Sequence, residues 1–129
     1  MGLHHVALNV ADFDATIRFY VEGLGLNVHY EWVMSRGSRA AMLGGVNGTN
    51  IEVFETPGRP EPVDGAITHF ALRTDNVDRA YAAALEAGAR PETEPINFAL
   101  SGSPPAIARI AFCRGLDGEQ IEFFQSEDV

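Results

Sequence analysis

Two histidines and two glutamates, His5, Glu52, His69 and Glu122, stand at matching points of an internal repeat. Two imidazoles with two carboxylates make a donor set suited to divalent Zn, Ni or Co, with Fe and Mn also within its range. A single strand histidine is usually a surface residue or a satisfied core residue, and glutamate is seldom buried unpaired. Four such residues at equivalent positions carry more weight than each alone, because a buried carboxylate without a partner is strongly destabilising. Glu122 lies between Ile121 and Phe123, which predicts a dry setting and a stronger base than Glu52.

The repeat supplies the elements that hold these side chains. Leu3 to Val10 alternates with period two, and Ile67 to Thr74 repeats the pattern 64 positions on, aligning His69 with His5 and Ala71 with Ala7. Each strand leads into a helix. Asp12 caps the first, with Ile17, Tyr20, Val21 and Leu24 on its apolar face and Gly23 or Gly25 at its end; Asn76 caps the second, with Val77, Tyr81, Ala84 and Leu85 before Gly88. Extended segments follow at 26–33 and 38–43 in the first half and at 107–113 in the second, with Ala89 to Glu94 a weaker one. Both halves end on Ile-Glu-apolar-Phe, at Ile51 to Phe54 and Ile121 to Phe124, where the offset has grown to 70. The six added residues fall most simply in the Pro/Gly/Ser-rich stretch 94–105, read as a loop over the site.

The expected architecture is α+β: two paired βαβββ modules at about 3–55 and 67–125, joined by a proline-rich linker at 56–66, forming one domain over 1–129. Neither four-stranded module buries its sheet alone, so the two share a core.

Composition narrows the chemistry. A formal charge of −9 repels nucleic acid and anionic membrane surfaces. All nine basic residues are arginine, so Schiff-base catalysis and the lysine-bearing phosphate loop are excluded. Apolar runs are far too short to span a membrane, and with no basic stretch ahead of an apolar core at Met1 neither a membrane-spanning nor a secreted protein is expected. The single cysteine, Cys113, sits in an apolar run and reads as an inert buried thiol suited to a reducing cytoplasm. Neither Gly-x-Ser-x-Gly nor His-Glu-x-x-His occurs. His4 points away from His5 with no counterpart at Thr68, and His29 beside Asn27 and Glu31 reads as part of a solvated face. Arg73 shares a face with His69 and Arg109 one with Ala111, making both candidates to hold an anionic substrate group.

The run His5-Val6-Ala7-Leu8, the helix around Arg18-Phe19-Tyr20 with Gly23-Leu24-Gly25-Leu26, then Ile51-Glu52, His69-Phe70-Ala71 and Asp117-Gly118 leading into Ile121-Glu122 together resemble the vicinal oxygen chelate superfamily. Glyoxalase I, extradiol dioxygenases and bleomycin resistance proteins belong to it. The resemblance covers nearly the whole chain. It implies a cup-shaped, partly open eight-stranded mixed sheet whose divalent metal chelates two neighbouring oxygens of a small-molecule substrate. His5, Glu52, His69 and Glu122 fall on the family's metal positions, and Asn9 stands where glyoxalase I carries a basic substrate-binding residue. All four ligands together favour a lyase or isomerase of glyoxalase I type, working by proton transfer through a metal-stabilised enediolate on an α-oxo or thioester substrate, with Glu122, then Glu52, as base. The alternatives are an Fe(II) extradiol-type dioxygenase and a metal-free antibiotic-binding protein. Modules of this family pair within a chain or between two, and a homodimer is the expected assembly.

Overall fold

In a computed structural model the described residues are 3–45, 48, 50–59, 67–101 and 104–128. The chain divides into two compact units, Met1–Pro62 and Val63–Val129. Of the expected linker, 60–66 lies outside the described residues; Thr56 to Arg59 closes a turn through Arg59 N–H donating to the Thr56 carbonyl at 3.3 Å.

Unit 1 runs β1 (His5–Val10), α1 (Phe13–Arg18), β2 (Asn27–Val33), β3 (Arg39–Gly44) and β4 (Asn50–Glu55). Its sheet has the order β1-β4-β3-β2, with β1 parallel to β4 and the other pairs antiparallel. Unit 2 runs β5 (Phe70–Arg73), α2 (Val77–Glu86), β6 (Arg90–Leu100), β7 (Ala106–Arg114) and β8 (Gln120–Gln125), in the same arrangement β5-β8-β7-β6. The fold is α+β, two four-stranded mixed sheets, and the first and last strands of each unit form its parallel pair.

Both predicted caps are in place: Asp12 accepts from Ala15 N–H and Asn76 from Arg79 N–H, each at 2.9 Å. α2 buries Val77, Tyr81 and Ala84, as its period requires. The first helix departs from expectation. After Arg18 it loosens into a single π-turn, Phe19–Gly23, which shifts the phase. The buried face is Phe13 and Thr16 ahead of this turn and Phe19 and Tyr20 within it, leaving Ile17, Val21 and Leu24 half-buried; Gly25, at φ 76°, ends the segment.

Three other expectations need correction. The stretch 94–100, read as loop, belongs to β6, whose two irregularities between Pro91 and Ile96 accommodate the prolines within an edge strand. The connection is thus confined to 101–105, where 102 and 103 lie outside the described residues. His69 stands just ahead of β5 and not within it. Ile121 and Phe123 lie on the face of β8 opposite Glu122, by strand alternation, and are buried on the helix side. They do not dry Glu122, and Ile51 and Val53 flank Glu52 in the same way.

The helices are tied down alike in both units. Arg39 on β3 makes a two-pronged bond to Asp14 on α1, at 2.8 and 3.2 Å, and also bonds Glu55; Arg109 on β7 does the same to Asp78 on α2, at 2.6 and 2.7 Å. These guanidiniums hold Glu55 and Asp78 below the usual carboxylate range. Among the described residues, no helix is long and apolar enough to cross a membrane.

Candidate metal centre

The parallel pairing positions each His–Glu couple. In unit 1 the register sets Ala7 opposite Glu52, and in unit 2 Ala71 opposite Glu122. An alanine across from the glutamate leaves room for the histidine two residues earlier to lean over it. His5 Nε2 lies 3.2 Å from Glu52 Oε2, and His69 Nε2 lies 2.9 Å from Glu122 Oε2. All four side chains stand on the sheet face away from their unit's helix. The glutamates are mostly covered, at 16% and 12% exposure, while the histidines are about one-third open.

Those separations fit metal chelation. Donors bound to one ion at about 2.0–2.2 Å stand about 2.9 Å apart when cis in an octahedron and about 3.4 Å apart in a tetrahedron. Each unit brings together one imidazole and one carboxylate; within either unit, no group of three or more His, Cys, Asp or Glu gathers among the described residues.

Sequence reading missed the groups behind the histidines. His4 Nδ1 lies 2.9 Å from His5 Nδ1, and Thr68 Oγ1 lies 3.2 Å from His69 Nδ1. Thr68 occupies the repeat position of His4, so both units hold the histidine's far nitrogen and turn Nε2 toward the glutamate. The signal was there as a polar residue immediately before each histidine, at equivalent points. Phe112, opposite Glu122, meets the His69 ring edge to face at 5.4 Å.

The remaining candidates part company. Asn9 lies on the Glu52 face and accepts from Thr56 Oγ1 at 3.2 Å. Arg73 shares the Glu122 face through its pairing with Phe124. Arg109 does not belong there: it lies on the helix side, bound to Asp78 and to Asn97 at 2.9 Å, and serves to hold α2. His29 is exposed, as expected, at a bulge in β2, and its ring lies over Gly44, where any Cβ would overlap it.

Residues 2–123 match the Glyoxalase/Bleomycin resistance protein/Dioxygenase superfamily. The chain belongs to this superfamily. Among its relatives is YwbC of Bacillus subtilis, of uncharacterised function, 32% identical over 95% of this chain and 96% of its own. Solved structures of the same fold include SMU.1112c, at TM-score 0.78 and 25% identity over 96% of this chain and 98% of that one. The trypanothione-dependent glyoxalase I of Leishmania major gives TM-score 0.75 and 25% identity, over 97% and 86%. Glyoxalase I from Zea mays, at 24% identity and TM-score 0.78, shares the fold across 98% of this chain and 45% of its own.

Proposed function

We propose that this superfamily member is a metal-dependent lyase or isomerase that moves a proton next to a carbonyl of a small α-oxo or thioester substrate. The observation that carries the reading is the duplicated couple: two His–Glu pairs at chelating separation, each histidine held from behind. His5, Glu52, His69 and Glu122 together would hold one divalent ion, Ni, Co or Zn, with Fe or Mn as lesser fits. When bound, the ion supplies Lewis acidity that stabilises negative charge on substrate oxygen.

The chain's own residues do the rest. His5 and His69 present Nε2, and the Nδ1 contacts with His4 and Thr68 keep the rings from turning. One glutamate carboxylate takes the proton and returns it at the neighbouring carbon. Ile121 and Phe123 give no reason to prefer Glu122; its slightly deeper cover and the Phe112 ring beside it favour it over Glu52. Asn9 and Arg73, on the same faces, would be the groups to meet the substrate. A single unpaired thiol suits work in the cytoplasm, and a homodimer is the assembly we infer.

The test is metal stoichiometry by elemental analysis and calorimetry, with hemithioacetal isomerisation followed on the loaded protein. One ion for the four donors, weakened in both His5→Ala and Glu122→Gln, supports the reading. Two independent ions per chain would break the shared-donor assignment. No binding of any of the five metals would leave a ligand-sequestering protein as the better account.

A further inference from the structure

Beyond the chelating residues, the Glu52 face of unit 1 carries an aromatic surface. Strand alternation alone would put Val28, Tyr30 and Trp32 together. The bulge between Val28 and Tyr30 prevents this: Val28 pairs with Leu43 on the helix side, whereas Tyr30 pairs with Met42 and Trp32 with Ala40. Met42 is in turn opposite Glu52, and Ala40 opposite Phe54, so Tyr30, Trp32 and Phe54 all share the face of His5 and Glu52.

The rings are ordered against one another. Tyr30 and Trp32 stack at 5.7 Å with 30° between planes, and Trp32 meets Phe54 edge to face at 6.2 Å. Ala40, fully buried between the two strands, is small enough to let Trp32 reach Phe54. The one polar group of the indole, Nε1–H, is directed to Met34 Sδ at 3.3 Å, so the ring offers an apolar face. Yet Tyr30 remains 66% exposed. The backbone irregularity turns Tyr30 and Trp32 out of the helix side, and an exposed Tyr30 with half-buried Trp32 and Phe54 forms one aromatic surface that a ligand ring can meet.

We infer that Tyr30, Trp32 and Phe54 receive a planar aromatic group of the substrate, so that the compound acted upon is an aryl-substituted α-oxo or related oxygen-chelating molecule. This rests on the proposed function and specifies its substrate. Phe54 is two residues beyond Glu52 on β4, about 7 Å along the strand, the spacing of a ring attached directly to a two-oxygen chelating head. Aromatic rings favour such stacked and edge-on partners over aliphatic chains of equal area.

Benzohydroxamic acid and acetohydroxamic acid both present two neighbouring oxygens and differ in the phenyl ring. On nickel-loaded protein, calorimetry should give the phenyl compound an advantage of about tenfold or more. That ratio should fall to within about twofold of unity in Trp32→Leu and in Phe54→Leu, and be largely kept in Trp32→Phe. Trp32 is the chain's single tryptophan, so metal-free protein offers an independent reading: saturable quenching of its emission by benzohydroxamic acid and none by acetohydroxamic acid. Quenching in a protein that takes up none of the metals would uphold the aryl site while the chelate reading fell. Equal affinity of the two compounds for loaded protein, without quenching, would overturn the aryl site and leave the chelate reading standing. A dimer that dissociates in Trp32→Leu, together with no phenyl advantage, would assign the surface to a second copy of the chain and also overturn it.

Discussion

Removing His4 tests whether the far side of the imidazole matters to the metal. In His4→Ala the 2.9 Å contact on His5 Nδ1 disappears, and the ring is free to turn or change tautomer. Groups that orient a metal-binding histidine are typically worth 10–100-fold in affinity. The His5 side chain is 37% exposed, so water takes over part of the lost contact, which places the expected loss at the low end, about tenfold or 1.4 kcal/mol. Thr68→Val, removing a longer 3.2 Å contact, should cost somewhat less. His4→Thr copies the arrangement of unit 2 and should recover most of the affinity. Competition with a metallochromic chelator measures all three, with thermal unfolding of the metal-free proteins as control. Affinity within about twofold of the parent for His4→Ala, with unchanged stability, would refute the orienting role. So would an equal loss in His4→Ala and His4→Thr.

Further outcomes follow from the packing. Ile121→Ala, on the helix side of β8 and fully buried, should cost about 3–4 kcal/mol by urea unfolding. Asp78 and Glu55 sit below their ordinary values of 3.8 and 4.5 because of Arg109 and Arg39, so the stability they add is complete above those values and is lost as pH falls through the lower folded ones. Arg109→Met and Arg39→Met should therefore flatten the acid limb of a stability-against-pH curve, which unfolding titrations between about pH 2 and 6 would reveal. Cys113 is buried and its thiol is pushed up to about 11, so an aromatic disulfide reagent at pH 8 should react only on unfolding.

The repeat made most of this fold legible, because the offset of 64 in the first strands and 70 in the last ones ties identical registers, Ala7 with Glu52 and Ala71 with Glu122. The caps at Asp12 and Asn76 were legible for the same local reason, a short oxygen-bearing side chain ahead of an apolar period. Where the period was interrupted, reading failed. The π-turn brought Phe19 into the buried face of the first helix, and the bulge at His29 reversed Tyr30 and Trp32; neither irregularity has a compositional mark. β6 was hidden because Pro91 and Pro95 argue against a strand unless bulges intervene. Glu122 was misjudged because neighbours in a strand are on opposite faces. The Arg39 and Arg109 couplings to the helices depend on contacts across 25 and 31 residues that no local pattern announces.

The two parallel ladders have a consequence for how such a chain changes over time. β4 is held to β1, and β8 to β5, by pairings that do not pass through the outer hairpins. An insertion in an outer hairpin therefore leaves the histidine and glutamate of that unit in step, and unit 2, whose β6 has 11 residues where β2 has 7, has already absorbed one. Tyr30 and Trp32 thus stand on β2, apart from the strands of the His5–Glu52 couple, and of the three rings Phe54 alone shares β4 with Glu52. The outer hairpins can be lengthened, bulged or exchanged as a cassette, which makes β2–β3 the place to graft a new preference onto an unchanged His–Glu pair.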